Sequence, residues 1–549
     1  MSAGGSSTAA LEADYIVVGA GSAGCVVAGR LAQSGRYRVL LIEAGPRDTS
    51  PWIHLPIGYG MSFYNPRVNW MYRTEPVPGL DGRVIYQPRG KVIGGSSSIN
   101  AMVYSRGQAS DFEAWAAMGN PGWGWPEVLA AYRRIEDHAL GESRWHGAGG
   151  PLAVTDIRDN VHPLSHVFVA AGKEAGYRFN PDLNGETIEG IGYYQINTRG
   201  GFRVSAARAW LRPAARSRAL RIETDALVTR IDLEGRRAVG ITFERSGATI
   251  AARARREVIL CGGAINTPQL LQLSGIGPGS ALRGLGLAVR HDLPAVGAHL
   301  QDHLCHDHVY RSRRPSLNDD LLPLAGKVRV GLRYLLTRGG PLSLSVNQGG
   351  GFVRSAPEVA APDIQLYFSP LSYERALPGV RALMKPDAFS GFSMSISPCN
   401  PTSRGEIALR SPDPRVAPEI RARYLDTEED RRIALAGVRI LRRIAATPAM
   451  AALIAEEIKP GSECEDDAAM LADIRARAYS VFHPCGSCRM GPDARAAVVD
   501  ARLRVHGLDG LRVVDASVFP LVTSGNTNAP AMMVGERGAT FILEDAAAG

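Results

Sequence analysis

A glycine-rich turn between a short strand and a helix is the feature that most constrains the fold of this chain. Residues 14–18, Asp-Tyr-Ile-Val-Val, predict a strand buried on both faces of a parallel sheet. Gly19, Gly21 and Gly24 follow at once with G-x-G-x-x-G spacing. The first glycine permits a tight turn, the second lets a pyrophosphate approach the backbone, and the third permits close packing of the helix.

The residues after this turn complete a strand–turn–helix–strand unit. Residues 25–32 have helical apolar spacing, and residues 38–43 form a second apolar strand that ends in Glu43. An acid at that position can bind ribose hydroxyls, while the helix N-terminus attracts phosphate through its partial positive charge. The unit therefore predicts a dinucleotide site in an α/β domain, and the glycine motif alone does not separate NAD from FAD.

Composition places the chain among large globular proteins. It has 549 residues, 45% of them hydrophobic and 21% charged, which excludes a disordered, collagenous or small disulfide-bonded protein. No run of about 18 apolar residues is present, and no secretory signal is visible at the N-terminus. The seven cysteines are odd in number and scattered, which is typical of a reduced intracellular chain. We therefore expect a cytoplasmic protein.

The charge balance narrows the range of partners. The net charge is +8, and the arginines that supply most of the positive charge are spread along the chain among acids. No basic tail or aromatic–basic stripe is present, so we expect no nucleic-acid partner. The balance is compatible with a weak attraction to an anionic membrane surface, so peripheral membrane association stays open.

Changes in character along the chain predict a dinucleotide domain assembled from separated pieces. Residues 311–475 mix strand-like segments with an amphipathic helix at 428–446, which indicates a second domain. Thr267 and Pro268 predict the start of a helix, as N-cap and first helical residue. We expect a disordered tail over 1–12 and a mainly dinucleotide-binding segment over 13–310, with part of the second domain inserted around 150–215. A mainly second-domain segment follows over 311–475, and the chain returns to the first domain over 476–541.

A second run of small residues lies at positions 90–100, between apolar flanks. Such a run, which contains Gly95 and Ser96, can present consecutive backbone N–H groups to an anion or to the edge of a ring. The plain alternative is a flexible surface turn. The residues alone leave these two interpretations open.

His483 begins a His-Pro-Cys-Gly-Ser-Cys segment that has three interpretations. Cys485 and Cys488 form a C-x-x-C pair, which occurs in zinc sites and in redox dithiols. However, no further zinc ligands with suitable spacing lie nearby, and the context is not that of a thioredoxin. In the third interpretation the cysteines are packing residues and His483 is a general base, because imidazole titrates near neutrality and can accept a proton from an alcohol.

Two other polar segments contain residue types that occur in functional sites. The polar turn at residues 523–530 includes Asn526 and Thr527, and its functional interpretation depends on whether it lies close to His483. A cluster near position 300 has the composition of a metal site but no standard spacing such as H-E-x-x-H, so we expect a hydrogen-bonded loop and no metal. That cluster consists of His299, Asp302, His303, Cys305, His306, Asp307 and His308.

Taken together, these motifs resemble the glucose–methanol–choline (GMC) oxidoreductase family, and within it the choline-dehydrogenase-like and alcohol-dehydrogenase-like branch. The glycine turn resembles the family's FAD site. Residues 90–100 resemble its first signature and residues 263–277 its second. His483 and Asn526 resemble its catalytic pair. Four ordered motifs that span almost the whole chain are more specific than any one of them.

The resemblance implies FAD, bound in a discontinuous Rossmann-like domain of GMC type beside an α+β substrate domain with an antiparallel sheet. In members that bind FAD covalently through histidine, this histidine precedes the signature asparagine. The chain has Ile99 there, so we expect non-covalent FAD. Residues 296–303 resemble the family's V-G-x-N-L-Q-D-H segment, but His299 stands where the family has asparagine. The residues that the resemblance places around the cofactor are Gly19, Gly21, Ser22, Ala23, Gly24, Glu43, Gly95, Ser96, Asn100, Ala101, Met102, Val103, Val228, Phe482, Asp515, Ala516, Asn526 and Thr527.

The resemblance also implies oxidation of a primary alcohol, with His483 as the base and Asn526 holding the substrate oxygen. The electrons would pass to a quinone, a cytochrome or a similar acceptor, as in a dehydrogenase, or to O2, as in an oxidase. A hydroxynitrile lyase and a fatty-acid photodecarboxylase are further alternatives on this fold. The presence of both site residues favours alcohol oxidation over photodecarboxylation and does not exclude the lyase. Choline is one candidate among aliphatic, aromatic and polyol alcohols.

Overall fold

A largely parallel sheet carries the glycine-rich turn. The computed structural model describes residues 11–374 and 385–548. Within them, Leu11–Val18 lies between two parallel neighbours, with Tyr15 paired to Val39 on one side and to Glu257 on the other. Ile16 and Val17 are fully buried, as expected for an apolar run covered on both faces. In spatial order the sheet contains Leu220–Glu223, Val39–Ile42, Leu11–Val18, Ala248–Leu260, Arg237–Arg245 and Ala226–Glu234, and Leu511–Val513 also pairs with Ala248–Leu260.

An antiparallel sheet forms the centre of the second domain. Helix Glu428–Ala445 covers it, and Thr427 caps that helix by accepting a hydrogen bond from the backbone N–H of Asp430. The buried stripe of the helix, with Ile433, Leu441 and Ile444, packs in one core with the sheet. The strands in spatial order are Gly349–Val353, Ile364–Ser369, Gly391–Pro398, Leu304–Ser312 and Ile454–Lys459, with Tyr479–Ser480 paired to Leu304–Ser312. The predicted combination of a Rossmann-like domain and an α+β domain is confirmed.

The remaining elements connect and cover the two sheets. The α-helices are Ser22–Gln33, Pro51–His54, Tyr59–Ser62, Ala109–Ala117, Trp125–Ile135, Pro163–Glu174, Arg212–Ala214, Gly263–Leu273, Gly279–Gly284, Leu317–Leu321, Leu324–Thr337, Glu428–Ala445, Pro448–Ala451, Asp467–Arg477 and Asn528–Ala548. Other helical turns are Pro56–Gly58, Pro78–Leu80, Gly95–Ser98, Ala207–Leu211, Pro341–Ser343 and Ala516–Val518. Short strands are Tyr72–Arg73, Tyr86–Gln87, Val103–Tyr104, Glu136–His138, Leu152–Asp156, Gly190–Tyr193, Gln195–Ile196, Thr198–Arg199, Phe202–Arg203, Ile276–Gly277, His291–Asp292, Tyr373–Glu374, Lys385–Pro386, Glu406–Ala408 and Glu419–Arg421. In the part of the chain that the structure describes, no helix is long and apolar enough to cross a membrane.

The structure corrects three boundaries. The expected tail over 1–12 ends too late, because Leu11 and Glu12 already pair with the neighbouring strand; residues 1–10 lie outside the described residues. The expected boundary at 310 falls within Leu304–Ser312, a strand of the second sheet. Helix Gly263–Leu273 begins before the predicted start at Thr267, so Pro268 lies inside it. The hydroxyl of Ser487 donates to the Ala264 carbonyl, the acceptor that a proline four residues later leaves without its helical partner.

Candidate active site

A cavity of about 660 Å³ lies between the two domains, at the carboxyl ends of the parallel strands. Gly19 follows one strand, Glu43 the next, Cys261 a third and Asp515 a fourth, and all of them line the cavity. Parallel α/β sheets bind their ligands at this edge, where the strands end in loops. Of the predicted cofactor and catalytic residues, all except Gly24 line this cavity.

Gly24 acts through packing, as the third glycine of the motif was predicted to do. A Cβ atom on this residue would lie 1.9 Å from the carbonyl oxygen of Gly19, far inside contact distance. Gly21 differs, because a Cβ there would approach only the Cys261 oxygen, at 3.8 Å. The turn therefore keeps open space above Gly21, and helix Ser22–Gln33 begins there without a side-chain cap.

Glu43 closes the far end of this turn. One carboxyl oxygen accepts the N–H of Ala20 at 2.9 Å, and the other accepts the N–H of Gly45 at 2.9 Å. Burial raises the pKa of Glu43 to about 7, against the lowering effect of these two hydrogen bonds. The group is held rigidly at the cavity wall, where ribose hydroxyls would provide further polar partners.

The small residues at 90–100 fold against the first turn. The Gly94 N–H donates to the Ala20 carbonyl at 2.7 Å, and Gly95 packs so closely on Gly21 that a Cβ would lie 2.6 Å from its Cα. Gly94 and Gly95 both have positive φ values, +89° and +53°. The structure therefore favours an ordered turn that faces the cavity over a flexible surface turn.

The buried side chain of Arg203 stabilises the turn at residues 90–100. Arg203 is 1% exposed and donates to Asn100 Oδ1 at 2.7 Å and to the Ser97 and Ile53 carbonyls. Burial lowers the pKa of Arg203 to about 9. Asn100 Oδ1 also accepts the Met102 N–H at 3.1 Å, so its side chain holds the local backbone in place.

Asp515 organises the start of helix Gly263–Leu273. Its carboxylate accepts the Gly263 N–H at 2.8 Å, the Thr267 hydroxyl at 2.6 Å and the Ser517 N–H at 2.7 Å. A carboxylate at a helix N-terminus interacts favourably with the helix dipole, although burial raises the pKa of this group. Asp515 thereby fixes the cavity wall through which Ala516 also contacts the open space.

These residues fit FAD. The two glycine turns leave room for a pyrophosphate beside an uncapped helix N-terminus, Glu43 would accept hydrogen bonds from ribose hydroxyls, and Val228 forms an apolar wall in the same cavity. Ile99 is buried at 2% exposure and has no ring nitrogen for a covalent link. This fit follows from the shape of the cavity and from the donor groups of the chain that line it.

His483 and Asn526 come together in the same cavity. The Asn526 side-chain Nδ2 lies 3.1 Å from His483 Nε2, although the residues are 43 positions apart in the chain. The Asn526 carbonyl oxygen accepts a hydrogen bond from Gln365 Nε2 at 3.2 Å, which fixes the direction in which its amide points. His483 is 7% exposed, so its imidazole is shielded from bulk water.

A chain of hydrogen bonds assigns the tautomer of His483. His303 Nε2 lies 2.7 Å from the Cys399 carbonyl, which can only accept, so this nitrogen carries the proton. Burial lowers the pKa of His303, so the ring is neutral and its Nδ1 is an acceptor. His483 Nδ1 lies 2.9 Å from that atom and must donate to it. The lone pair of His483 therefore lies on Nε2, facing Asn526.

The protonated form of His483 is strongly disfavoured in this environment. Burial, reinforced by His303 and Arg89, lowers the pKa of His483 well below its ordinary value. Arg89 also donates to the carbonyl of Phe482, at 2.6 Å, the residue that precedes His483. Phe482 adopts a positive φ of +69°, so the backbone is strained where it presents the imidazole.

Asp302 anchors this histidine pair. Its Oδ1 accepts the N–H of His483 at 2.7 Å and the N–H of His303 at 2.9 Å. Both backbone segments are thus held by one buried carboxyl oxygen, which fixes the distance between the two rings. Three side chains donate to the other carboxyl oxygen: Gln87, Ser480 and Tyr424.

Sequence reasoning missed the residues that position the pair. Arg89 precedes the first signature by one residue and was not singled out, while Asp302 and His303 appeared only within the histidine-rich segment. Residues 304–308 of that segment lie in the strand Leu304–Ser312 and not in the expected loop, and the His306 and His308 rings contact each other edge to face, 5.6 Å apart. His306 contacts Asp473 at 3.0 Å, and His308 faces Tyr310. No local signal marks His303, because its contact with His483 joins residues 180 positions apart.

His299 occupies a left-handed backbone position, with φ +63°. Asparagine and histidine are both several-fold enriched among non-glycine residues in this conformation, so the departure from asparagine keeps the local backbone. Burial, with nearby Arg489 and Arg404, lowers the pKa of His299 to about 4. The ring is not part of the cavity wall.

Two further groups contain residue types that can ligate a metal or take part in redox chemistry. Cys485 and Cys488 are both fully buried, and burial raises the pKa of each thiol well above its ordinary value. Elsewhere in the described residues, His138, His146 and Asp182 bring their ligand atoms within 4.8 Å of one another. However, the His138 and His146 rings stack nearly parallel, 3.6 Å apart, so their lone pairs do not converge on one point. Burial opposes protonation of His146, but hydrogen bonds to Asp182 and Glu136 raise its pKa, which favours an ion pair.

The second domain supplies most of a further part of the cavity wall, called the outer wall here. Aromatic and polar side chains form this wall, and both signs of charge are present. Those that line it are Tyr59, Phe63, Cys305, Asp307, Asn347, Tyr367, Ser369, Tyr373, Glu374, Lys459, Arg477 and Tyr479. Tyr367 donates to Gln365 Oε1 at 2.6 Å, so this wall is tied to the residue that orients Asn526.

Comparison with known proteins agrees with this site. A profile of the GMC oxidoreductase family matches residues 13–305 and, in its C-terminal part, residues 401–535. An alcohol dehydrogenase (acceptor) from Pseudomonas putida is 43% identical over 540 residues, which cover 96% of this chain and 95% of the relative. The mitochondrial choline dehydrogenase of Homo sapiens is 44% identical over 543 residues, which cover 97% and 90%.

Solved structures give the same result. The crystal structure of pyridoxine 4-oxidase from Mesorbium loti matches with a TM-score of 0.87 at 34% identity, covering 96% of this chain and 98% of that chain. Sequence, fold and cavity therefore agree over nearly the whole length. The chain belongs to the GMC oxidoreductase family and is an FAD-dependent oxidoreductase that acts on CH–OH donors.

Proposed function

We propose that the protein oxidises a primary alcohol to an aldehyde, with His483 as the general base and Asn526 as the group that holds the substrate oxygen. The observation that carries the proposal is the proton-free Nε2 of a neutral His483, set opposite the Asn526 amide in the shared cavity. Bound FAD supplies the acceptor for the hydride that leaves the carbinol carbon. The chain's own residues handle the hydroxyl proton.

The proton step follows from the hydrogen-bond chain. His483 Nε2 accepts the hydroxyl proton of the alcohol, and the Asn526 amide donates to the same oxygen as negative charge develops on it. His303 and Asp302 are positioning residues, because they touch His483 and not the cavity centre. The Cys399 carbonyl at the end of this chain keeps the tautomer fixed while the alcohol binds.

For the electron acceptor, we propose that the enzyme is a dehydrogenase, which passes electrons to a quinone, a cytochrome or a similar acceptor. Two relatives named as dehydrogenases, at 43% and 44% identity over nearly the whole chain, support it. The same names support alcohol oxidation over the lyase and the photodecarboxylase. An oxidase would differ by rapid reoxidation in air.

Choline is favoured by one observation on the outer wall. Tyr367, Tyr479, Asp307 and Glu374 line it, and aromatic faces with acids are the groups that bind a quaternary ammonium ion. Arg477 and Lys459 in the same wall would oppose a cation, so the test includes neutral and acidic alcohols beside choline.

The test is an anaerobic absorbance titration of the holoenzyme with choline, linear alcohols, aromatic alcohols, polyols and a hydroxy acid. We expect one class to bleach the oxidised flavin bands, which names the substrate class. Readmitting air then separates slow reoxidation, expected of a dehydrogenase, from the fast reoxidation of an oxidase. A holoenzyme that no alcohol in the panel reduces would contradict the proposal.

The pH dependence of alcohol oxidation should reflect the lowered pKa of His483. A base must be neutral, and a histidine of ordinary pKa would be neutral in only about a quarter of molecules at pH 6. Because the pKa of His483 lies well below that value, kcat/KM should stay nearly flat as pH falls from 7.5 to 6. A threefold to fourfold decline over this interval, measured with the natural acceptor or a dye, would show that His483 titrates normally.

A further inference from the structure

Helix Leu324–Thr337 exposes an apolar stripe to solvent. Among the described residues, it carries the five large hydrophobic side chains with the highest exposed fractions, and the others are scattered singly. At about 100° per residue, positions 324, 328, 332 and 335 fall within one quarter of the helix circumference. The exposed fractions are 78% for Leu324, 54% for Val328, 54% for Leu332, 64% for Leu335 and 82% for Leu336.

The opposite face attaches this helix to the protein. Gly326, Val330 and Tyr334 are buried, and the Tyr334 hydroxyl donates to the Gly201 carbonyl at 2.9 Å. An ordinary surface helix has one apolar face, turned to the core, and a polar face in water. Here a second apolar face points outward, which the fold of the monomer does not need.

Basic residues border the stripe. Segment 324–338 contains no acid and four cations: Lys327, Arg329, Arg333 and Arg338. On the helical projection Lys327 lies on one side of the stripe and Arg329 on the other. Arg329 pairs with Asp320, while Lys327 and Arg333 are exposed. A helix with an apolar face rimmed by Lys and Arg is the type that lies in the interface of an anionic bilayer.

We propose that this helix docks the protein onto an anionic lipid surface, with the leucine stripe at the boundary between headgroups and acyl chains. A second copy fits less well, because two such stripes placed face to face would bring their basic rims together. The proposal does not rest on the alcohol chemistry. The chain runs from the end of the helix at Thr337 to Asn347 in the cavity wall, ten residues later.

The test is cosedimentation of the holoenzyme with vesicles of phosphatidylcholine alone and with about a third phosphatidylglycerol. Wild type should bind the anionic vesicles, and added salt should weaken binding. The double variant Leu332→Gln/Leu335→Gln should bind about tenfold less or weaker still, and Lys327→Gln/Arg333→Gln should lose the preference for anionic lipid. Leu140→Gln is the matched control, because Leu140 is 47% exposed elsewhere and should bind like wild type.

FAD content and thermal unfolding of each variant confirm that it folds, which is expected because these side chains are exposed. Wild type that stays in the supernatant with anionic vesicles would overturn the proposal. So would equal binding by Leu332→Gln/Leu335→Gln. Light scattering after size exclusion gives the third adverse outcome: a wild-type dimer that the leucine variant turns into a monomer would assign the stripe to a second copy.

Discussion

Replacing His483 with alanine should slow the anaerobic reduction of FAD by the alcohol about 10²-fold to 10⁴-fold. His483 Nε2 is the unprotonated nitrogen that faces the cavity, and Asn526 offers an amide N–H and no base. Without the imidazole, the pair retains no group that can accept the hydroxyl proton. Stopped-flow absorbance of the flavin bands under anaerobic conditions measures this step directly.

The control for this variant is His299→Asn, which removes an imidazole outside the cavity and suits the left-handed backbone at that position. It should reduce FAD at the wild-type rate within about twofold, since it touches no group of the proton path. His483→Ala should still contain FAD, so the measurement compares holoenzymes. An unchanged reduction rate in His483→Ala would remove this residue from the mechanism.

The local part of the site could be predicted because neighbouring residues encode it. The apolar run before Gly19, the three glycines and the acid at Glu43 all lie within one strand–turn–helix–strand unit, whose geometry follows from backbone sterics and strand burial. The structure places this unit where the sequence predicted it. The second sheet was anticipated only in outline, because its strands Gly349–Val353 and Ile364–Ser369 have no turn motif to mark them.

The positioning groups could not be predicted because they depend on contacts between distant residues. His303 meets His483 across 180 positions, and Asp302 reaches the backbone of His483 across 181. No local pattern determines that one carboxyl oxygen holds both segments. The helix start before Pro268 was missed for a similar reason, since the carbonyl that proline leaves free is satisfied by Ser487, 223 positions away.

Replacing Gly24 with alanine should abolish FAD binding and destabilise the first domain. The added Cβ would lie 1.9 Å from the Gly19 carbonyl oxygen, whereas real Cβ contacts stay above 3.0 Å. The turn cannot retreat, because Gly19 already packs against the Cys261 carbonyl, where a Cβ would meet the oxygen at 2.5 Å. We expect at least a tenfold loss of bound flavin and a lower unfolding temperature, measured by flavin absorbance per protein and by thermal melting.

Two glycine variants separate cofactor binding from folding. Gly284→Ala is the matched control, because a Cβ there meets nothing within 4 Å, and it should keep both FAD and stability. Gly21 has a φ of −78°, and a Cβ there would approach only the Cys261 oxygen, at 3.8 Å. The Gly21→Ala variant should therefore fold normally. Its methyl group nevertheless enters the space expected for the pyrophosphate, and FAD affinity should fall about tenfold or more. If Gly21→Ala bound FAD as tightly as wild type, this result would show that the pyrophosphate lies elsewhere. The conclusion would hold even if Gly24→Ala failed to fold.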